Sequence, residues 1–128
     1  MHIRLRNEID MDDQKEILDQ VYPVQVTMKK DQLYLVFTNE EDEKVVIKAN
    51  PSELVMTRFS NPNSVMRFLS NQEAVVTIPT PMGLQHLVTD TSRYDFCLGR
   101  QSIRLDYQLK PYDTQQIFAS YKMTIIWE

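Results

Sequence analysis

Glycine, cysteine and histidine are all scarce in this chain of 128 residues. The two glycines, Gly83 and Gly99, are too few for the glycine-rich loops that cradle phosphate groups. The one cysteine, Cys97, has no partner for an internal disulfide, and a free cysteine more often packs as a small hydrophobe than reacts. Only His2 and His86 are available as conventional bases for nucleophilic catalysis. We therefore do not expect an enzyme.

The sequence also lacks a basic patch and a long apolar run. Its formal net charge is −4, with Lys and Arg interspersed among acidic residues, so neither nucleic acid nor a membrane surface is expected as a partner. Residues 1–13 contain no uninterrupted apolar stretch of the kind that signal peptides and membrane spans need. These features predict a cytoplasmic protein.

No metal or cofactor is expected. His86 and Asp90 lie four residues apart on a predicted strand, about 13 Å along its axis, which is too far for both to bind one ion. The acidic run at residues 39–43 lacks the spacing and the glycine of a calcium-binding loop. Because 18 acidic residues make chance carboxylate pairs unavoidable, glycoside hydrolysis stays open as a minor alternative.

Alternation of apolar and polar residues runs through almost the whole chain and predicts strands with one buried face. The pattern favours about ten strands in consecutive hairpins, with a bend or edge at Pro23. The predicted strands cover residues 2–9, 15–28, 32–39, 44–50, 54–59, 64–69, 73–80, 84–91, 92–98, 102–109 and 115–127. We expect residues 1–128 to form one domain, a single closed antiparallel up-and-down β-barrel of about eight to ten strands, because closure removes exposed edges.

Two arginines interrupt the apolar strands of residues 54–69. If residues 60–63 form a four-residue loop, Arg58 and Arg67 share one face with Met56; a loop of three or five residues places them on opposite faces. A buried arginine without a partner costs several kcal/mol, so interior arginines need carboxylates, phenol oxygens or an anionic ligand.

Large aromatic residues of the last two strands have the parity of the apolar face. Tyr107 shares parity with Ile103 and Leu109, and Tyr121 and Trp127 share parity with each other. We therefore predict a ligand site in the interior for a small anionic or amphipathic molecule. Its predicted residues are Arg58, Arg67, Tyr107, Tyr121 and Trp127.

Two alternatives remain open for this site. Arg67 can lie outside with its stem along the wall, while Arg58 alone is internal and paired to a carboxylate. The interior can also be filled by side chains, in which case the protein is a structural or protein-interaction module without a ligand.

An ordered set of short elements resembles the YwiB-like family, a group of small bacterial calycin-type β-barrels described as a domain of unknown function. The resemblance implies a lipocalin-like barrel and carries no catalytic residues. Of the two arginines, it favours Arg58 over Arg67 as the one with a role in the site. The matching residues are Glu16, Ile17, Tyr22, Leu33, Tyr34, Leu35, Glu40, Glu41, Arg58, Met66, Phe68, Thr80, Pro81, Gly83, Ile103, Tyr107 and Leu109.

Overall fold

The computed structural model describes residues 1–114 and 116–128, and this part of the chain forms eleven β-strands. The long predicted segment at residues 15–28 is divided at Pro23, and the two segments predicted at residues 84–98 are one strand. The strands are β1 (His2–Met11), β2 (Gln14–Pro23), β3 (Gln25–Lys29), β4 (Gln32–Thr38), β5 (Lys44–Ala49), β6 (Glu53–Phe59), β7 (Ser64–Leu69), β8 (Glu73–Thr80), β9 (Gly83–Cys97), β10 (Ser102–Pro111) and β11 (Ala119–Trp127). Gln115, the first residue of the predicted final strand, lies outside the described residues.

The described strands make two antiparallel sheets. One has six strands in the order β2-β1-β11-β10-β9-β8, and the other has five in the order β3-β4-β5-β6-β7. Neither sheet closes on itself, so the prediction of a single closed barrel is wrong. At one seam, Pro23 ends β2 and the chain enters the other sheet through Val24; a proline cannot donate to a ladder, so pairing stops there. At the second seam, the turn at residues 70–72 leads from β7 into β8.

A β-bulge interrupts the pairing of the long strand β9 with β10. Arg93 lies opposite Asp106, whereas Thr91 lies opposite Tyr107, so Ser92 is the extra residue. A bulge keeps the chain extended while changing which side chains face inward. For this reason β9 continues through a point where strict alternation predicts two strands.

The core lies between the sheets. Alternate residues of seven strands form one hydrophobic cluster, and burying each large aliphatic or aromatic side chain contributes about 1.5–3 kcal/mol. The buried members are Ile3, Leu33, Leu35, Phe37, Val45, Ile47, Ala49, Leu54, Phe68, Ile103, Leu105, Tyr107, Met123, Ile125 and Trp127. Because both sheets contribute to this cluster, each one covers the apolar face of the other.

The opposite face of the six-stranded sheet carries ion pairs. Arg4 on β1 contacts Asp19 on β2 at 2.6 Å, and Lys110 on β10 contacts Asp90 on β9 at 2.9 Å. Along β9, Arg93 and Asp95 form a further pair at 2.6 Å. The two faces of this sheet are therefore sharply different, apolar toward the other sheet and charged away from it.

No helix in the described part of the chain is long and apolar enough to cross a membrane.

Candidate functional site

A cavity of about 200 Å³ lies between the two sheets, and we call it the inter-sheet cavity. The six-stranded sheet supplies Leu5, Asn7, Leu18, Gln20, Tyr107 and Met123, and the five-stranded sheet supplies Met56, Met66 and Phe68. The cavity reaches the surface beside β2, where Leu18 is exposed. Its wall is mostly apolar, and three methionines give part of it an adaptable shape.

Asn7 is a polar side chain within this apolar wall. Burial raises the pKa of the Tyr107 hydroxyl, and a hydrogen bond from the side chain of Asn7 partly opposes that rise. The other end of the amide, Asn7 Oδ1, is buried and has no hydrogen-bond partner among the described residues. A buried acceptor without a donor costs about 1–3 kcal/mol, so this oxygen favours any molecule that brings a donor into the cavity.

Aromatic rings close one side of the cavity. The Tyr107 ring stacks on Tyr121 with centroids 4.7 Å apart and lies tilted against Phe68 at 4.5 Å. Stacked and tilted contacts of this kind add about 0.5–1.5 kcal/mol to the burial of the rings. Tyr107 and Tyr121 therefore lie side by side on the inward face of β10 and β11.

The two arginines lie on opposite faces of the five-stranded sheet. Arg58 pairs with Ser64, so five residues lie between the paired positions and the two arginines do not share a face. Arg58 follows Met56 on the inward face, at the exposed end of β6, and its side chain is 52% exposed. Its Nε lies 3.7 Å from Glu43 Oε1. Arg58 is therefore the next inward-facing residue of β6 after Met56, which lines the inter-sheet cavity.

Arg67 takes no part in the cavity. It lies opposite Val55 on the outward face, and its Nε and Nη2 atoms are each 3.1 Å from Glu53 Oε2. The side chain is exposed, as in the alternative in which its stem lies along the outer wall.

Trp127 lies in the hydrophobic core at the C-terminal end of β11. It is 2% exposed and pairs with Ile3 at the far end of β11. Six residues of strand separate it from Tyr121, about 20 Å at the usual rise. Of the five predicted residues, only Tyr107 lines the cavity, and Tyr121 stacks on it. Arg58 follows Met56 on the inward face, Arg67 lies on the outer face and Trp127 lies in the core at the end of β11.

A polar contact holds the β4–β5 hairpin tip against β2. The Tyr22 hydroxyl donates a hydrogen bond to Glu40 and its ring stacks on Phe37 at 5.0 Å. Burial, together with the Glu40 carboxylate, raises the pKa of Tyr22 to about 12. The bond from Tyr22 in turn lowers the pKa of Glu40. This contact fixes the tip that carries Glu43, the partner of Arg58.

Asn7, Gln20 and Leu18 were not predicted from the sequence as site residues. The signal for Asn7 was present, because it interrupts the inward series Ile3, Leu5 and Ile9 of β1 with an amide. Leu18 and Gln20 gave no such signal, since their role depends on the register of β2 against β1.

A second cavity, of about 250 Å³, is bordered mainly by charged and hydroxyl side chains beside the bulge of β9. Its Glu8 and Asp106 lie 3.8 Å and 3.9 Å from Arg6 and Arg104, respectively. Because these charges have partners on their own sheet, the inter-sheet cavity is the stronger candidate for an amphipathic ligand.

The residue types that usually carry catalysis lie elsewhere. His86 Nδ1 is 3.0 Å from the Thr77 hydroxyl on the exposed hairpin of β8 and β9. Hydrogen bonding by the backbone of Arg100 lowers the pKa of the Cys97 thiol at the end of β9. Within residues 1–114 and 116–128, no three His, Cys, Asp or Glu side chains are grouped so as to hold a metal ion.

Two open antiparallel sheets around one core define the class of the protein as an all-β domain. The sequence matches the family described as "Domain of unknown function (DUF1934)" over residues 3–125, and the chain belongs to that family. This agrees with the resemblance to the YwiB-like family.

The solved structure described as "Crystal structure of ywiB protein from Bacillus subtilis" has a similar fold, with a TM-score of 0.76 at 16% sequence identity. The similarity covers 99% of this chain and 90% of that chain. A comparison with curated proteins gave no match.

Proposed function

We propose that this protein is a cytoplasmic, non-enzymatic binding module that holds a small amphipathic acid between its two sheets. One observation carries the proposal: the inter-sheet cavity combines an apolar wall with an unpartnered acceptor at Asn7, and Arg58 follows its lining residue Met56 on the inward face of β6. The proposed ligand has an apolar body, an anionic group at Arg58 and a hydrogen-bond donor at the buried end.

Arg58 is the residue that would bind the anionic group of the proposed ligand. A guanidinium has five N–H donors, and the Glu43 contact at 3.7 Å is too long for a hydrogen bond. Donors therefore remain for a carboxylate or a phosphate, and a partly desolvated bidentate contact is the geometry in which arginine binds such groups best.

The volume of the cavity limits the size of the ligand. About 200 Å³ lies below the range of about 300–1,000 Å³ that is usual for drug-sized molecules. At about 30 Å³ for each water, the space corresponds to roughly seven waters. A short-chain acid fits these limits, and a long-chain fatty acid does not unless Met56 and Met66 move.

Thermal shift measurements with matched probes test this proposal. Hexanoate with a terminal hydroxyl, plain hexanoate and hexanol differ in the groups offered to Arg58 and Asn7. We expect the hydroxy acid to raise the melting midpoint most. Arg58→Ala should abolish the difference between hexanoate and hexanol, whereas Arg67→Ala, which removes an arginine from the outer face, should leave it unchanged. Equal shifts in wild type and Arg58→Ala for every probe would refute the role of Arg58.

Native mass spectrometry of freshly purified protein provides an independent test. A co-purified small acid, lost in the Arg58→Ala variant and retained in Arg67→Ala, is the expected result. A spectrum with only the mass of the bare chain, together with no thermal shift, would favour the second candidate.

The second candidate function is a structural or protein-interaction module without a ligand. It is favoured by the rings of Phe68, Tyr107 and Tyr121, which pack against one another between the sheets. Under this alternative the inter-sheet cavity holds water, whose hydrogens satisfy Asn7 Oδ1.

A further inference from the structure

β2 is a long edge strand with little cover. It pairs with β1 on one side, and at its other edge no described strand is hydrogen-bonded to it. Nine of its ten residues are exposed, and Ile17 and Val21 on its outward face are 49% and 60% exposed. An unpaired strand with exposed aliphatic side chains is a template for another strand.

The other sheet edges are better protected. β3 has only five residues, and β8 contains Pro79, which cannot donate to a further ladder. β7 lies along β8 at the second seam. β2 has neither a proline before its last residue nor a bulge in its pairing with β1, and its protection consists of the charged residues Lys15, Glu16 and Asp19 alone.

Among the residues that the structure describes, side-chain hydrogen bonds from the other sheet cover only one end of β2. Gln20 and Tyr22 contact Glu40 at the hairpin tip, which blocks that end. Residues 14–19 lie beyond these contacts, so the open part of the edge is long enough for a hydrogen-bonded ladder.

We propose that β2 pairs antiparallel with β2 of a second copy of this chain, with the two-fold axis at Ile17. In this register Ile17 faces Ile17 of the partner subunit, and Lys15 faces Asp19 of the partner subunit. The same contacts occur twice because of the symmetry. The result is a continuous twelve-stranded sheet across two copies, built from the six strands of each.

Parity and charge select this register. The two sheets share one outward face only when outward residues of one strand lie directly opposite outward residues of the other. Such residues are all odd-numbered or all even-numbered together, so the two-fold axis must pass through a residue and not between two residues. An axis at Leu18 places Asp19 opposite Ile17 of the partner subunit. An axis at Asp19 places two carboxylates opposite each other. The axis at Ile17 joins opposite charges and an apolar pair, the combinations that stabilise cross-strand neighbours.

The register also brings the partner to the mouth of the inter-sheet cavity. Leu18 lines that cavity, and its opposite residue is Glu16 of the partner subunit. Dimer formation does not depend on ligand binding, so the two proposals can fail separately.

Sedimentation equilibrium of the full chain tests the dimer. We expect wild type to dimerise in the micromolar range. Lys15→Asp should raise the dissociation constant at least about tenfold, because two favourable cross-strand pairs become repulsive. Lys122→Asp changes the same charge on β11, away from the edge, and should have no effect. Wild type that stays monomeric throughout the micromolar range would overturn the proposal.

Cysteine cross-linking tests the register. In a Cys97→Ser background, Ile17→Cys should form a disulfide-linked dimer under mild oxidation, since opposite residues of antiparallel strands are close enough for a disulfide. Val21→Cys, four residues from the axis, should not. A dimer in which Ile17→Cys fails to cross-link and Lys15→Asp has no effect uses another surface, and this result also overturns the proposal. Circular dichroism of each variant verifies that it is folded.

Discussion

At the scale of single residues, Asn7 introduces a polar group into the apolar interior. It places an amide where its neighbours on the same face of β1 are aliphatic, and its oxygen has no partner among the described residues. Its hydrogen bond to the Tyr107 hydroxyl explains why both polar groups are tolerated between the sheets. The pair is coupled, so removing one partner has a different consequence from removing both.

Tyr107→Phe should lower the free energy of unfolding by about 1 kcal/mol, because it leaves the Asn7 amide without its acceptor. The double variant Asn7→Leu with Tyr107→Phe should recover most of this loss, since both polar groups are then absent. Urea unfolding of the two single variants and the double variant forms a complete cycle. Additive losses would show that the two side chains are not coupled.

Acid sensitivity has a residue-level origin at Asp19. The Arg4 guanidinium donates two hydrogen bonds to this carboxylate, at 2.9 Å and 2.6 Å, and lowers its pKa below the ordinary value of 3.8. The unfolded chain therefore takes up this proton at a higher pH than the folded chain does. The contribution is present above the ordinary pKa and is lost as the pH falls through the lowered pKa.

We expect the urea midpoint of wild type to fall more steeply between about pH 5 and pH 3 than that of Asp19→Asn. Because this pair is exposed, the difference should be small. Asp95→Asn is a useful comparison, since Asp95 and its partner Arg93 both lie on β9, away from β2. Parallel slopes for wild type and Asp19→Asn would contradict the assignment.

At the scale of elements, register decides which side chains face the interior. The β6–β7 hairpin was predicted from its apolar runs, but a four-residue and a five-residue connection fit the sequence equally well. The five-residue connection places Arg58 and Phe68 on the inward face and Arg67 outside. No local pattern in residues 59–63 distinguishes the two lengths, so the separation of the arginines was not predictable.

Adjacent positions on β7 should respond very differently to truncation. Phe68→Ala should cost about 3–5 kcal/mol, because Phe68 is 1% exposed and its loss leaves a hole in the core. Arg67→Ala should cost less than about 1 kcal/mol, since it removes an exposed ion pair with Glu53. Denaturant unfolding of the two variants measures the contrast, and similar losses would indicate that the strand has the other register.

Turns were the least predictable elements. The chain has only two glycines for tight turns, yet β3 and β4 join through the two residues Lys30 and Asp31, with φ of 52° and 63°. Paired positive φ values are typical of the tight hairpin turn that usually contains Asn-Gly. Lysine is not a recognised signal for this conformation, so the strand pairing on either side must impose it.

The whole molecule differs most from the prediction in how its sheets end. Hairpins and alternating faces fit both a closed barrel and two packed sheets, because local patterns do not record whether the last seam is hydrogen-bonded. Pro23 was predicted as a bend or an edge, and it does mark one seam. The seam between β7 and β8 has no comparable marker, since its turn at residues 70–72 resembles an ordinary hairpin connection.

One shared core implies one cooperative unit. Leu35 in the five-stranded sheet and Ile125 in the six-stranded sheet are both fully buried in the same cluster. Native-state hydrogen exchange should therefore give the amides of Leu35 and Ile125 the same opening free energy, equal to that of global unfolding. A lower value in either sheet would indicate that the sheets unfold separately, against the prediction of a single domain.

The position of Trp127 provides an optical reporter. It is the only tryptophan in the sequence, and it lies in the shared core, about 20 Å along β11 from Tyr121. Its emission should lie at short wavelength in the folded protein and move to longer wavelength when the core opens to water. The ring lies opposite Ile3, two residues along β1 from Leu5 of the inter-sheet cavity, so a small acid bound there should leave the ring buried. The intrinsic fluorescence of this protein therefore reports the opening of the shared core, without any attached dye.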